Sequence, residues 1–246
     1  MKKYLYEDLY LLEEKHWWHI SKREAVLSLI KEYAKGNRIK ILDVGCGTGR
    51  NMEEFKKLGD VWGLDSSLIA LNYCRKRGLK NLKLGSAENT SLETSSFDVV
   101  TLLDVLEHTD DNKTLKEMAR ILKRNGILIL TVPAFPWLWS KWDEVLHHKR
   151  RYTINTFKKM LDSYDFHPVK MTYLYSFLVL PTLIIRKIKQ KFSKNFYPSD
   201  FTLSTPLLNF ILNNLSRLEF FLSGKFYIPF GTSIVVVAKK NDQKTT

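Results

Sequence analysis

Cysteine is scarce in this sequence: 246 residues hold two, Cys46 and Cys74. Two thiols cannot build a disulfide framework, so a reducing, cytoplasmic compartment is expected. Long apolar runs are missing too. The most apolar stretch, 174–185, is about twelve residues with Pro181 inside it, well short of the ~20 that span a bilayer. The opening residues Met1-Lys2-Lys3-Tyr4-Leu5-Tyr6-Glu7-Asp8 are interrupted by acids and lack the apolar core of a secretory signal. Internal repeats and low-complexity tracts are absent, which excludes a fibre or a repeat array.

What is present is enough for a folded core. Hydrophobic residues make up 44% of the chain and charged residues 26%, a balance that excludes wholesale disorder. The length suits one large α/β domain, or a smaller domain with an insertion. Charge is uneven: 39 Lys and Arg oppose 26 Asp and Glu, a net +13. Most of the excess lies in residues 145–199, which hold 11 basic and 2 acidic side chains. An anionic partner is therefore expected there, whether a substrate, a membrane surface or a nucleic acid.

Periodicity divides the chain. Residues 1–38 read as an amphipathic helical region, with Ser21 in the position of an N-cap. Short apolar runs at 39–44, 61–64, 82–84, 97–103 and 127–132 then alternate with helical patterns near 51–58, 67–77, 112–122 and 153–163. Further strands fit 169–175 and 232–238. Continuous apolar strands alternating with helices predict an α/β fold, a mostly parallel sheet with helices on both faces. Residues 39–176 and 229–240 form this domain, and 177–228 form a helical lobe inserted before the last strand. Within the lobe, 181–192 places Ile184, Ile185, Ile188 and Phe192 opposite Arg186, Lys187, Lys189 and Lys191, a pattern shared by membrane-surface helices and by domain core. A second amphipathic stretch starts at Ser204-Thr205-Pro206 and runs to Leu222.

The first strand runs into Asp43-Val44-Gly45-Cys46-Gly47-Thr48-Gly49. Glycines at a strand-to-helix turn let backbone N–H groups approach a ligand closely. The spacing is not the Gly-x-Gly-x-x-Gly of dinucleotide folds, and no Walker Lys-Ser/Thr follows. Asp65 ends the second strand, where an acid accepts bonds from ribose hydroxyls. Ser86-Ala87-Glu88 follows the third, and Leu103-Asp104-Val105-Leu106-Glu107-His108 the fourth. Leu122-Lys123-Arg124-Asn125-Gly126 leads into the fifth.

In this order and spacing the motifs resemble those of the class I S-adenosylmethionine-dependent methyltransferases, over about residues 39–175 and the last strand. The resemblance implies a Rossmann-like sheet of seven strands with the last reversed, S-adenosylmethionine as cofactor, and S-adenosylhomocysteine as product. It implies that Asp43, Gly45, Cys46 and Gly47 hold the methionyl part, Asp65 with Ser66 the ribose, and Ala87 with Glu88 the adenine. Leu103 would lie against the cofactor. Residues 1–38 take the place of a lid.

Transfer from a sulfonium needs alignment more than acid–base machinery, and a base helps where the acceptor is a hydroxyl or an ammonium. Trp137, Trp139 and Trp142 precede His147, His148, Lys149, Arg150, Arg151 and Tyr152 in the loop expected to face the acceptor. His147, His148 and Tyr152 are the catalytic candidates; the cations would suit an anionic group. No metal is expected, and Asp104, Glu107 and His108 are the candidates were one held, because acid-x-x-Glu-His resembles the metal-binding run of some methyltransferases. Nucleic acid is the less favoured acceptor: neither an Asn/Asp-Pro-Pro-aromatic segment nor a Pro-Cys dipeptide is present. A small-molecule or lipid-linked acceptor, methylated on oxygen or nitrogen near a membrane contacted through 181–192, is the expectation. RNA or tRNA methylation and a non-catalytic cofactor-binding scaffold remain the alternatives.

Overall fold

A computed structural model describes residues 3–36, 38–184 and 205–241. Seven strands form one sheet: β1 (Ile39–Val44), β2 (Gly59–Asp65), β3 (Leu82–Leu84), β4 (Phe97–Leu103), β5 (Leu122–Pro133), β6 (Phe166–Leu174) and β7 (Ser233–Lys240). Their order is β3-β2-β1-β4-β5-β7-β6. β1 to β5 pair in parallel and β7 runs antiparallel between β5 and β6, so the expected Rossmann-like sheet with its reversed last strand is what the chain forms. The central strands are apolar on both faces, as a sheet covered on both sides requires. Leu42, Val100, Leu128 and Val236 belong to one core layer, and Ile41, Val99, Ile129 and Val237 to the other.

Nine helices are described: α1 (Lys3–Lys15), α2 (Trp17–Tyr33), α3 (Arg50–Phe55), α4 (Leu68–Lys76), α5 (Asp111–Ile121), α6 (Lys141–Val145), α7 (Ile154–Asp162), α8, whose described part is 179–184, and α9 (Pro206–Leu222). The amino-terminal region is thus two helices, broken at His16. His16 caps α2, its ring accepting from Trp18 N. Ser21, expected as the cap, lies a turn inside α2, where its hydroxyl reaches Trp18 O and Tyr175 Oη. An imidazole does the work expected of a hydroxyl because the chain is already helical on both sides of position 16.

β5 also begins earlier than the 127–132 run. Leu122 pairs with Phe97, and residues 123–126, which read as a helix end and a turn, bulge before the ladder resumes at Ile127, with Asn125 at φ 61°. A bulge of this kind admits turn residues without ending the strand. Of the basic amphipathic stretch 181–192, residues 185–192 lie outside the described residues. No helix among the described residues is long and apolar enough to cross a membrane.

Candidate functional site at the carboxyl edge of the sheet

β1 and β4 are neighbours and end together, Val44 opposite Leu102. The loops that follow them therefore emerge side by side at the carboxyl edge, where open α/β sheets bind ligands. The loop after β1 turns through Gly45 (φ 70°), Gly47 (φ 55°) and Gly49 (φ 90°). A Cβ on Gly45 would run into Val105, the residue that brings the second loop across the first.

Asp43 is buried. One carboxylate oxygen accepts from Thr101 Oγ1 at 2.6 Å; the other, Oδ2, has no hydrogen-bond partner among the described residues. Burial, with the charges of Glu13 and Asp65 nearby, pushes its pKa up to about 7. An orphaned buried carboxylate beside three left-handed glycines suits a ligand that brings a cation, as the methionyl ammonium and sulfonium of S-adenosylmethionine do. Asp65 accepts from Gly47 N and Ser67 N at 3.0 and 2.8 Å, fixing the loop at the end of β2. Ser66 is exposed beside it and Ala87 is buried. Glu88 accepts from Asp110 N at 2.9 Å, which ties the loop after β3 to the start of α5. Leu103 is half-buried at the end of β4. Cys46 lies 3.9 Å from Cys74, sulfur to sulfur, both thiols free and buried.

The sign of the Asp43 shift yields a pH prediction. The raised folded pKa means that stability from the neutral acid is complete below the unfolded value of 3.8 and is lost as pH rises through about 7. A cationic ligand favours the ionised form, so binding releases a proton below that point. The dissociation constant for S-adenosylmethionine is expected to fall by up to about tenfold per pH unit from pH ~6 toward pH ~7, then level off. Calorimetry in buffers of different ionisation enthalpy reads both affinity and proton release; in Asp43→Asn the slope disappears.

The second loop carries the acids. Asp104 leaves β4 at φ 56°, held by its N–H to Thr131 O and by Thr131 Oγ1 to its Oδ1. Its other oxygen accepts from Lys22 Nζ of α2. Lys22 is buried against the Trp18 ring, and burial holds its pKa below the usual lysine range while Asp104 opposes that shift. The sequence did not single out Lys22; in a helical pattern a lysine at that position reads as solvated face.

Glu107 is fully buried, and neither carboxylate oxygen has a hydrogen-bond partner among the described residues. Burial and the charge of Asp104 push its pKa well above the carboxylate range. Beside it stand His108 and His148, their rings 4.9 Å apart, and one ligand atom from each of the three lies within 4.8 Å of the others. His148 Nδ1 is 2.9 Å from Asp143 Oδ1, leaving Nε2 toward Glu107 at 3.9 Å. A carboxylate behind a histidine fixes its tautomer in bases and in metal ligands alike. The set able to hold a cation is therefore Glu107, His108 and His148; Asp104, the third candidate from sequence, is engaged by Lys22 and Thr131.

The other candidates separate from this cluster. His147 is exposed in a left-handed turn (φ 60°), and its carbonyl faces His108 Nδ1. Tyr152 is buried and donates to Asp111 at 2.8 Å; burial and that carboxylate raise its pKa, so the phenol is structural. Two of the three expected cations face inward: Arg151 grips Asp143 through two nitrogens, and Arg150 pairs with Asp111. Lys149 stays exposed. Trp137 and Trp139 are exposed, with Trp137 leaning on Phe135, which stacks on Tyr173.

Residues 42–130 match a family model described as a methyltransferase domain. An uncharacterised protein of Methanocaldococcus jannaschii is 28% identical over 96% of this chain and 86% of its own length. The ubiquinone biosynthesis O-methyltransferase of Pelagibacter ubique is 35% identical over 99 residues, 37% of this chain and 41% of that enzyme. Among solved structures, the YcgJ protein of Bacillus subtilis superposes with a TM-score of 0.58 at 17% identity, covering 89% of this chain and 99% of its own, a likeness of fold.

Proposed function

A chain whose residues 42–130 are a class I S-adenosylmethionine-dependent methyltransferase domain takes that molecule as cofactor and works as a methyltransferase, and we propose that its acceptor is a hydroxyl group of a small apolar or lipid-linked molecule. The bound sulfonium supplies an activated methyl group. The chain must align the acceptor, exclude water and receive a proton.

The Asp143–His148 pair carries the reading. His148 is held in one orientation by Asp143, and its Nε2, 3.9 Å from Glu107, has no hydrogen-bond partner among the described residues. An imidazole placed there accepts a hydroxyl proton as the oxygen becomes a nucleophile, and buried Asp143 steadies the resulting imidazolium. Trp137, Trp139 and Phe135 offer the apolar wall that a hydrophobic acceptor needs. The partial likeness to a ubiquinone biosynthesis O-methyltransferase supports oxygen as the acceptor atom.

A second reading is favoured by Glu107. Its two unpartnered oxygens beside His108 and His148 fit a borderline divalent cation, which would supply Lewis acidity toward the acceptor hydroxyl.

One experiment tests both. The purified enzyme and methyl-labelled cofactor are added to fractionated extract of the source organism. Label in the organic-soluble or small-molecule fraction supports the acceptor reading, and label in RNA or protein overturns it. Activity unchanged after chelation supports His148 as the base; activity lost on chelation and restored by one divalent ion, with one equivalent bound, supports the cation.

A further inference from the structure

α9 is folded with its amphipathicity inverted. Its buried residues are Ser216 and Glu219, while Leu207, Phe210, Ile211, Leu218 and Phe221 are 45–69% exposed. The spacing of those five, three, four, seven and three residues apart in places, sets them along one side of the helix. Beyond its end, Phe226, Tyr227 and Phe230 extend the patch at 48–71% exposure. Exposed Asn214 sits among them, yet scattered surface apolar residues are ordinary whereas this many gathered on one side are a binding surface or a liability.

Specific bonds hold the inversion in place. The Glu219 carboxylate accepts from Tyr175 N, Ser176 N and Ser176 Oγ, and Asn209 Oδ1 accepts from Trp17 N at 3.0 Å. The helix therefore grips the domain through these polar groups, with Leu212 and Phe220 on the same side packed against the core. Tyr175, which it grips, packs on Trp17 and reaches Ser21, one residue from Lys22 and the Asp104 loop.

Charge says what covers this face. Glu219 is the one acid in 205–230, and it is buried. The twenty residues leading into α9, 185–204, carry Arg186, Lys187, Lys189, Lys191 and Lys194 against Asp200. An apolar stripe without exposed acids, preceded in the chain by five cations, complements the anionic surface of a lipid bilayer. At 17 residues the helix is about 25 Å long, too short to span and suited to lying in the interface. We propose that α9 and residues 226–230 form a membrane-docking face, bound flat to an anionic lipid surface.

The test is flotation of the full-length protein with phosphatidylcholine vesicles, with and without about 30% phosphatidylserine, beside Phe210→Ser/Phe221→Ser and Lys187→Glu/Lys189→Glu. The double serine variant removes two large apolar side chains from the face and is expected to lose at least tenfold in vesicle affinity at unchanged melting temperature. The charge-reversal variant is expected to lose binding to anionic vesicles at low salt. Wild-type protein that does not float, or a serine variant that floats equally well, overturns the proposal. So does a wild-type dimer in light scattering that becomes monomeric in the serine variant, since the face would then join two copies. Docking does not depend on acceptor identity: label in a water-soluble product would overturn the lipid-linked acceptor and leave flotation untouched, whereas failed flotation would leave the labelling result standing.

Discussion

His148→Ala is expected to lower kcat by about 10²–10⁴-fold, the range supplied by a positioned general base, while the dissociation constant for S-adenosylmethionine stays within about twofold. The separation follows from where the ring sits. His148 is anchored by Asp143 and faces Glu107 and His108 beyond β4; Asp43 and Asp65, the residues we propose for the cofactor, belong to β1 and β2. His148 belongs to neither apolar core layer, and a melting temperature taken beside the kinetics separates loss of the base from loss of the fold. Single-turnover kinetics at saturating cofactor reads the chemical step, and isothermal titration reads cofactor binding. Turnover within threefold of wild type would remove His148 from the reaction and return the role to the exposed His147. His147→Ala is the matched control, expected to change kcat by less than about threefold, because its side chain is exposed away from the cluster.

Asp143→Ala is expected to cost ~3–5 kcal/mol of stability, the usual result of stripping one partner from a buried ion pair. Asp143 is fully buried and accepts from Arg151 Nε and Nη2, from the ring of His148, and from Ser140 N and Oγ. Those partners hold its pKa far below the ordinary carboxylate range. The linkage sign follows: stability from this group is present above the unfolded value of 3.8 and is lost as pH falls below it. Removal leaves the Arg151 guanidinium, itself nearly buried, with Ala134 O as its remaining acceptor. Chemical denaturation at neutral pH measures the loss. Asp143→Ala/Arg151→Met, which removes both charges, should recover a large part of it; if the double variant is as unstable as the single one, the cost lies in packing and not in the stranded charge.

The glycine loop and the acid after the second strand were legible in the sequence because they are local. Three glycines after an apolar strand, and an acid at the end of the next, are written within a few residues of where they act. Asp43 illustrates the limit: its position was readable, its unpartnered oxygen and raised pKa were not, since both depend on Thr101 and Glu13 arriving from elsewhere. The acceptor half is assembled across long separations. Lys22 meets Asp104 across 82 residues, and His108 meets His148 across the whole of β5. His147 and His148 are neighbours in a turn, so only backbone direction decides which one points inward.

α9 marks a different boundary. An apolar stripe at helical spacing announces a face but not which side of the helix the domain holds. Leu208, Ile211, Leu212, Leu215, Leu218 and Leu222 make the amphipathic pattern of this stretch, yet of these it is Leu212 that packs against the core, and Glu219 binds the helix to the fold. Three donors converging on one carboxylate outweigh what a partly buried leucine stripe would gain.

α1 crosses the glycine loop. A Cβ on Gly47 would lie 3.6 Å from Leu9 and 3.7 Å from Glu13, and Glu13 accepts from Thr48 Oγ1. Arg77 clamps the arrangement, donating to Tyr10 O, Thr48 O, Glu14 and Glu53 while its guanidinium stacks over the Tyr10 ring. Any ligand approaching the glycine loop from that side meets α1 first, and Arg77 is the residue whose contacts hold α1 there.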